Sequence, residues 1–318
     1  MSKYIITFPG QGSQSIGMMD GLAHIPIIKK TFDEASNILS NDFWGMTSPE
    51  RDIHKDKHRE DINLTVNTQP LMLTAGVATW RYLQENNLAS PSFLAGHSLG
   101  EFTALVAANS LTFEDALKIV TIRAEYMQNA GVSGAMAAII GLDDEQVISI
   151  CNQEQGDGVL EAVNFNSPGQ VVIAGLKSTL ENSLQSFKDA GAKRAILLPV
   201  SVPSHCKLMK PASIKFGEYL NKFNFNRPEF PIIQNYEAMH YNEIDKIKSA
   251  LVSQIFNPVR WTETIKLLSK EGINLFIEAG PGKVLTGLNR RINKEASHVS
   301  VNNKEAIDEI LLKIKELH

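Results

Sequence analysis

Two cysteines in 318 residues, Cys151 and Cys206, are too few for a disulfide framework. Neither charge sign dominates: 31 basic side chains against 35 acidic ones leave a formal net charge of −4, so nothing general draws the chain to nucleic acid. No apolar run approaches the ~18 residues of a membrane span; residues 135–142 are among the longest. Residues 1–8 are too short for the apolar region of a signal peptide and run straight into Pro9-Gly10-Gln11-Gly12. His54 and His58 stand four apart, but Lys-Asp-Lys between them makes the segment 54–61 a solvated surface rather than a zinc site. No internal repeat or low-complexity stretch is present. With 43% hydrophobic and 21% charged residues, the chain reads as globular and cytoplasmic, with ample length for one large domain or two modest ones.

Strand-like and helix-like segments alternate, which predicts an α/β fold. Residues 4–8 and 93–95 are short apolar strands, each entering a Gly-containing turn. Leu73, Val77, Trp80 and Leu83 have helical spacing over 69–83, a helix follows over 99–108, and Thr112 with Asp115 opens another that runs to about Met127. From 134 to 200 the order changes. Strands at 135–141, 159–164, 170–174 and 195–200 enclose helices at 143–152 and 178–189, a β-α-β-β-α-β ferredoxin-like unit. The expected organisation is a large subdomain, 1–130 and 200–318, carrying this small subdomain, 131–199, as an insertion. Helices at 246–256 and 261–270, a strand at 274–278, a helix from about Lys283, a strand near Val299 and a terminal helix complete the large part.

Gly96-His97-Ser98-Leu99-Gly100 is a G-x-S-x-G motif between a short strand and a helix. That setting suits a nucleophile elbow, a strained turn that exposes the serine while flanking glycines keep Cβ atoms out of a crowded corner. The Leu99 amide at the helix start can face an oxyanion. The plainer alternative is an ordinary turn with a capping serine. A second oxyanion donor could come from Pro9-Gly10-Gln11-Gly12-Ser13-Gln14. Dinucleotide binding fails there, because the third glycine arrives only at Gly17. Gly280-Pro281-Gly282-Lys283-Val284 lacks the Ser or Thr of a phosphate loop.

A serine nucleophile needs a base. Of eight histidines, His205 in Val200-Ser201-Val202-Pro203-Ser204-His205 is the best placed, because a loop re-entering the large subdomain lies along the cleft; a surface loop histidine is the alternative. His97 adjoins the serine and could simply shape the turn. Arg123 falls on the apolar stripe Ala116, Ile119, Val120, Met127. A buried guanidinium there would hold a carboxylate, whereas a border arginine would snorkel to water.

These residues fall within longer matching runs. Phe8-Pro9-Gly10-Gln11-Gly12-Ser13-Gln14, Gly96-His97-Ser98-Leu99-Gly100-Glu101, Asn164-Phe165-Asn166-Ser167-Pro168-Gly169-Gln170 and Val202-Pro203-Ser204-His205-Cys206 come first in order. Asn257-Pro258-Val259 with Trp261, and Gly280-Pro281-Gly282-Lys283-Val284-Leu285, follow. The chain thereby resembles the bacterial malonyl-CoA:acyl-carrier-protein transacylases over essentially its whole length. The resemblance implies an α/β-hydrolase-like large subdomain with a ferredoxin-like insertion, and malonyl transfer from malonyl-CoA to the acyl-carrier-protein thiol. It implies Ser98 as the acylated nucleophile, His205 as base, Gln254 orienting His205 through its carbonyl, and the Gln11 and Leu99 amides as oxyanion hole. It further implies Arg123 on the malonyl carboxylate, His97 and Asn166 along the cleft, and Arg194 toward the phosphopantetheine. No metal or cofactor is implied, nor a nucleic-acid or membrane partner. Lys193, Arg194, Arg290 and Arg291 are candidates for a docking face toward an acidic carrier. Phe102 and Asn109 stand where relatives often have Tyr and Gly. A serine hydrolase, or a non-catalytic binding homologue, would share much of this sequence; the first lacks a compelling acid for the usual Ser, Asp/Glu, His order.

Overall fold

A computed structural model describes residues 3–48, 62–88, 90–200 and 202–316. The segment 54–61, with His54 and His58, lies outside the described residues.

Ten strands, numbered in chain order, form two sheets among the described residues. They are β1 (Tyr4–Phe8), β2 (Phe93–Gly96), β3 (Gly134–Ile140), β4 (Leu160–Ser167), β5 (Gln170–Leu176), β6 (Arg194–Leu197), β7 (Ile232–Gln234), β8 (Met239–His240), β9 (Leu275–Ala279) and β10 (Ser297–Val301). The larger sheet has the order β10-β9-β1-β2-β7-β8, parallel except for the short β8 at one edge. Its central strands β1 and β9 are buried throughout. That explains why they are apolar except at Thr7 and Glu278, since a parallel sheet covered on both faces has no solvent side to alternate toward.

The smaller sheet is antiparallel, in the order β4-β5-β3-β6. With helices Asp144–Glu154 and Lys177–Asp189 it makes the ferredoxin-like unit. Its first helix opens on a full capping box: Asp143 accepts the Gln146 amide and Gln146 returns the bond. The unit has its own apolar core around Ile139, Val147, Ile173 and Phe187. A seam joins it to the large sheet's subdomain: the Phe165 and Val259 N–H groups donate to the Val259 and Val163 carbonyls, and the Thr262 hydroxyl to that of Phe165.

Several elements depart from the sequence pattern. β6 stops at Leu197 rather than continuing to 200, because Pro199 has no N–H for a ladder. Helix Thr65–Glu85 begins four residues earlier than the spacing indicates and carries Pro70 inside it; Gln69 is thereby turned into the interior. Helices Pro26–Leu39 and Lys210–Leu220 and the three-residue β7 were not anticipated. Asn109 adopts φ +55°, a left-handed conformation that asparagine tolerates and glycine prefers. No helix among the described residues is long and apolar enough to cross a membrane.

Candidate active site

β1 and β2 run parallel with Phe8 opposite Gly96, so both chains leave the sheet at the same end. The His97 N–H donates to the Phe8 carbonyl at 2.9 Å, which draws the two turns together. Ser98 sits at the corner with φ +51°, ahead of helix Gly100–Ala107. A Cβ on Gly96 would lie 1.9 Å from the Gly100 carbonyl carbon, and one on Gly100 would lie 2.1 Å from the Phe8 oxygen. The elbow therefore closes only with glycine at both positions. Asn235, just past β7, clamps it from the side: its Oδ1 accepts the Ser98 N–H and its Nδ2 donates to the Gly96 carbonyl, each at 2.6 Å.

His205 reaches this corner from the loop after β6, with φ +67° and its N–H donated to the Ile255 carbonyl. Its Nδ1 lies 2.6 Å from the Gln254 carbonyl and its Nε2 2.8 Å from Ser98 Oγ. A carbonyl can only accept, so Nδ1 carries the hydrogen and Nε2 presents its lone pair to the serine. Burial, with the Arg123 charge adding to it, pushes the His205 pKa down to about 3. The imidazole is therefore neutral near pH 7, the form a general base requires. Neither the Gln11 nor the Leu99 N–H is spent on a backbone acceptor among the described residues. Both residues line the same cavity as Ser98.

Arg123, from helix Phe113–Gln128, is 1% exposed. This is the buried alternative, not the snorkelling one. Nη1 donates to Gln69 Oε1 at 2.6 Å, and Nη2 to Gln254 Oε1 at 2.9 Å and to Ser98 Oγ at 3.4 Å. The guanidinium also lies over Phe102, where the ring centroid is 5.6 Å away. Burial pushes its pKa down to about 10, which leaves it charged at neutral pH. None of these partners is a carboxylate. Glu101 acts on the guanidinium only through space, and Arg123 Nε has no hydrogen-bond partner among the described residues, so the fork keeps N–H capacity for a carboxylate.

His97 turns its Nε2 to Asn166 Oδ1 at 2.8 Å, its ring tilted against Trp261. Burial lowers its pKa against the raising effect of that bond. Arg194 does not join the group: it is exposed at the start of the edge strand β6, opposite Ile140, and is not among the cavity's lining residues. Lys193, Arg290 and Arg291 are exposed as well. The cavity itself, about 170 Å³, is walled by Ser98, His205 and Arg123 on the large side and by Met136 and Leu198 on the small one.

Three residues of this arrangement carry no signal that sequence reading used. Gln69 lies inside a helix that begins earlier than its spacing suggests, and Asn235 follows a strand too short for any period. Glu101 stands within the serine motif but was given no task; it is fully buried, and burial pushes its carboxyl up to about 7 against the pull of its hydrogen bonds and of Arg123.

Known proteins share this construction. Residues 5–305 match the family model described as the acyl transferase domain. The malonyl CoA-acyl carrier protein transacylase of Escherichia coli is 45% identical over 310 residues, 96% of this chain and 98% of that protein. Its Bacillus subtilis counterpart is 40% identical over 99% of this chain and 98% of its own. An acyl carrier protein S-malonyltransferase from Vibrio cholerae superposes with a TM-score of 0.90 at 46% identity, over 97% of this chain and 100% of the other. A malonyl-transacylase solved in complex with its type II PKS acyl-carrier protein gives 0.92 at 43% identity, over 98% and 100%. With the match running through both sheets and the elbow between them, the chain belongs to the acyl transferase domain family.

Proposed function

We propose that this chain moves a malonyl group from malonyl-CoA to the phosphopantetheine thiol of an acyl carrier protein, through a malonyl ester on Ser98. Likeness across the whole chain to the malonyl transacylases supports the reaction class. The observation that carries the substrate is the Arg123 guanidinium, buried beside Ser98 Oγ without a carboxylate partner.

In the first half-reaction Ser98 Oγ passes its proton to His205 Nε2 and attacks the thioester carbonyl. The Gln11 and Leu99 amides receive the oxyanion, and Arg123 holds the distal carboxylate. The tetrahedral intermediate collapses with cleavage of the C–S bond, the departing sulfur takes the proton from His205, and CoA leaves. In the second half the carrier thiol gives its proton to His205, its sulfur attacks the ester, and Ser98 recovers its hydroxyl proton. Gln254 holds the imidazole through its carbonyl, so no third carboxylate is required. His97 lines the cleft, and Asn166, which is not among the cavity's lining residues, holds its ring. The scheme uses no cofactor and belongs in the cytoplasm, where acyl-CoA and carrier protein meet.

An oxyanion donor is commonly worth ~2.7–4 kcal/mol. Losing the partner of a buried ion pair costs ~3–5 kcal/mol, which is the discrimination expected from Arg123. Arg123→Ala should therefore lose malonyl transfer by ~2×10²–5×10³-fold more than acetyl transfer; equal losses on the two substrates contradict the carboxylate role. Intact-protein mass analysis after incubation with malonyl-CoA should show an acyl adduct that Ser98→Ala lacks. Single-turnover decay of the adduct with and without carrier protein separates thiol transfer from hydrolysis.

A further inference from the structure

Beneath the elbow, a second carboxyl group is built into the large subdomain with no role in the steps above. Glu101 lies in the first turn of helix Gly100–Ala107 and is fully buried. Its Oε2 accepts two bonds, from Gln254 Nε2 at 2.8 Å and from the Asn235 N–H at 3.1 Å. Its Oε1 has no partner among the described residues. A carboxylate is a costly group to bury with one oxygen unsatisfied. An apolar side chain of similar length would fill the same space without that penalty, so filling the core does not explain this one.

The chemistry of a primary amide does. Gln254 has one oxygen and one nitrogen at the end of its side chain, and only one of its two orientations offers the oxygen to Arg123. In this structure Nε2 donates to Glu101 Oε2 and to the Ser98 carbonyl at 2.9 Å, while Oε1 accepts from Arg123 Nη2. Were the amide turned over, its NH₂ would face the guanidinium and its oxygen would face two acceptors, and none of the three contacts would be matched. Glu101 Oε2 accepts from both Gln254 Nε2 and the Asn235 N–H, so with or without a proton on the unpartnered Oε1 it selects the orientation in which Arg123 gains an acceptor. The Asn235 N–H, donating to the same Oε2, fixes the oxygen that receives the amide. Arg123 is the charged group that acts on this carboxyl.

We propose that Glu101 is a positioning residue for acyl-group selectivity: by fixing the Gln254 amide it aims the Arg123 fork at the carboxylate of the incoming acyl chain. The proposal rests on the assignment of Arg123 to that carboxylate, and the test keeps the two apart. Transfer of malonyl and acetyl groups from their CoA esters to carrier protein is measured for the wild type, Glu101→Met, Glu101→Gln, Gln254→Met, the Glu101→Met/Gln254→Met double variant and Arg123→Ala.

Glu101→Met should raise KM for malonyl-CoA about tenfold or more while kcat and the acetyl reaction stay within about threefold. Glu101→Gln keeps an acceptor oxygen in place and should hold selectivity within about threefold of wild type. The double variant should be no less selective than Gln254→Met alone, the signature of two residues acting through one contact. Loss of both substrates in equal measure by Glu101→Met, or effects of the two single variants that multiply in the double, overturns the proposal. Where Glu101→Met does not fold, Glu101→Asp replaces it: retracting the acceptor by one methylene should lose malonyl selectivity, and full selectivity there overturns the proposal. If Arg123→Ala keeps selectivity, the carboxylate assignment itself fails; if it loses selectivity and Glu101→Met does not, only the role of Glu101 falls.

Discussion

Behind the four-stranded sheet, Ile139, Val147, Ile173 and Phe187 pack with no charged group in the cluster. Beneath Ser98, just as buried, lie Arg123, Glu101, Gln254 and Asn235. The first region is held by apolar burial that any well-filled core supplies. The second is held by directional bonds, most of them between partners more than 50 positions apart in the chain. One is a core that could be repacked; the other is a set of mutual constraints in which each group has a single tolerable orientation. The cleft lies where the two meet, so the small unit serves as a stable wall while the polar cluster sets the chemistry.

The sharpest way to break this contrast is Gly96→Ala. A Cβ at 1.9 Å from the Gly100 carbonyl carbon cannot be absorbed by a rotamer change, so the cost should exceed the ~1–3 kcal/mol of ordinary overpacking. Mass analysis should find no acyl adduct, with a large drop in melting temperature. Phe187→Ala, in the apolar core of the small unit, should cost ~3–5 kcal/mol of stability. The protein that remains folded should still form the adduct at an unchanged rate, and a lost adduct would show that the wall and the cluster are not separable.

Acidity probes the polar region alone. His205 has its folded pKa depressed to about 3 against an ordinary 6.5. Below 6.5 the unfolded chain binds a proton that the fold refuses, so this group makes stability fall as pH drops from 6.5 toward 3. Glu101 acts with the opposite sign. Raised to about 7 from 4.5, it keeps a proton that the unfolded chain has released, so its contribution is full below 4.5 and is lost as pH rises through about 7. Denaturant titrations across pH should show His205→Ala with a shallower acid decline than wild type, and Glu101→Gln without the decline between 4.5 and 7. The mildest change is Asp143→Ala, which removes a cap from the small unit and should cost ~1 kcal/mol, read as a small shift in denaturation midpoint with activity intact.

Much of the fold was legible because it rests on local chemistry. The capping residues Thr112 and Asp143, the glycines that flank Ser98 and the apolar strands each declare themselves within a few positions. Helix Lys210–Leu220 and β7 did not, the first because its apolar face is narrow and the second because three residues show no period. In the site, Ser98 and His205 could be singled out because each sits in a distinctive turn, and Arg123 because a cation on an apolar stripe is conspicuous. Whether that arginine was buried could not be read, since the stem of a border arginine has the same spacing.

The order of residues alone thus determined which segments become strands and helices, that a serine stands at a corner between two of them, and that a second, smaller sheet interrupts the first. Tertiary structure decided which amides close around Arg123, which way the Gln254 side chain faces, and that Glu101 lies beneath them. Hydrophobic periodicity is written along the chain, so neighbours suffice to reveal it. Hydrogen-bond orientation is a property of pairs, and the partners here stand more than 50 positions apart in the sequence and meet only in the folded large subdomain.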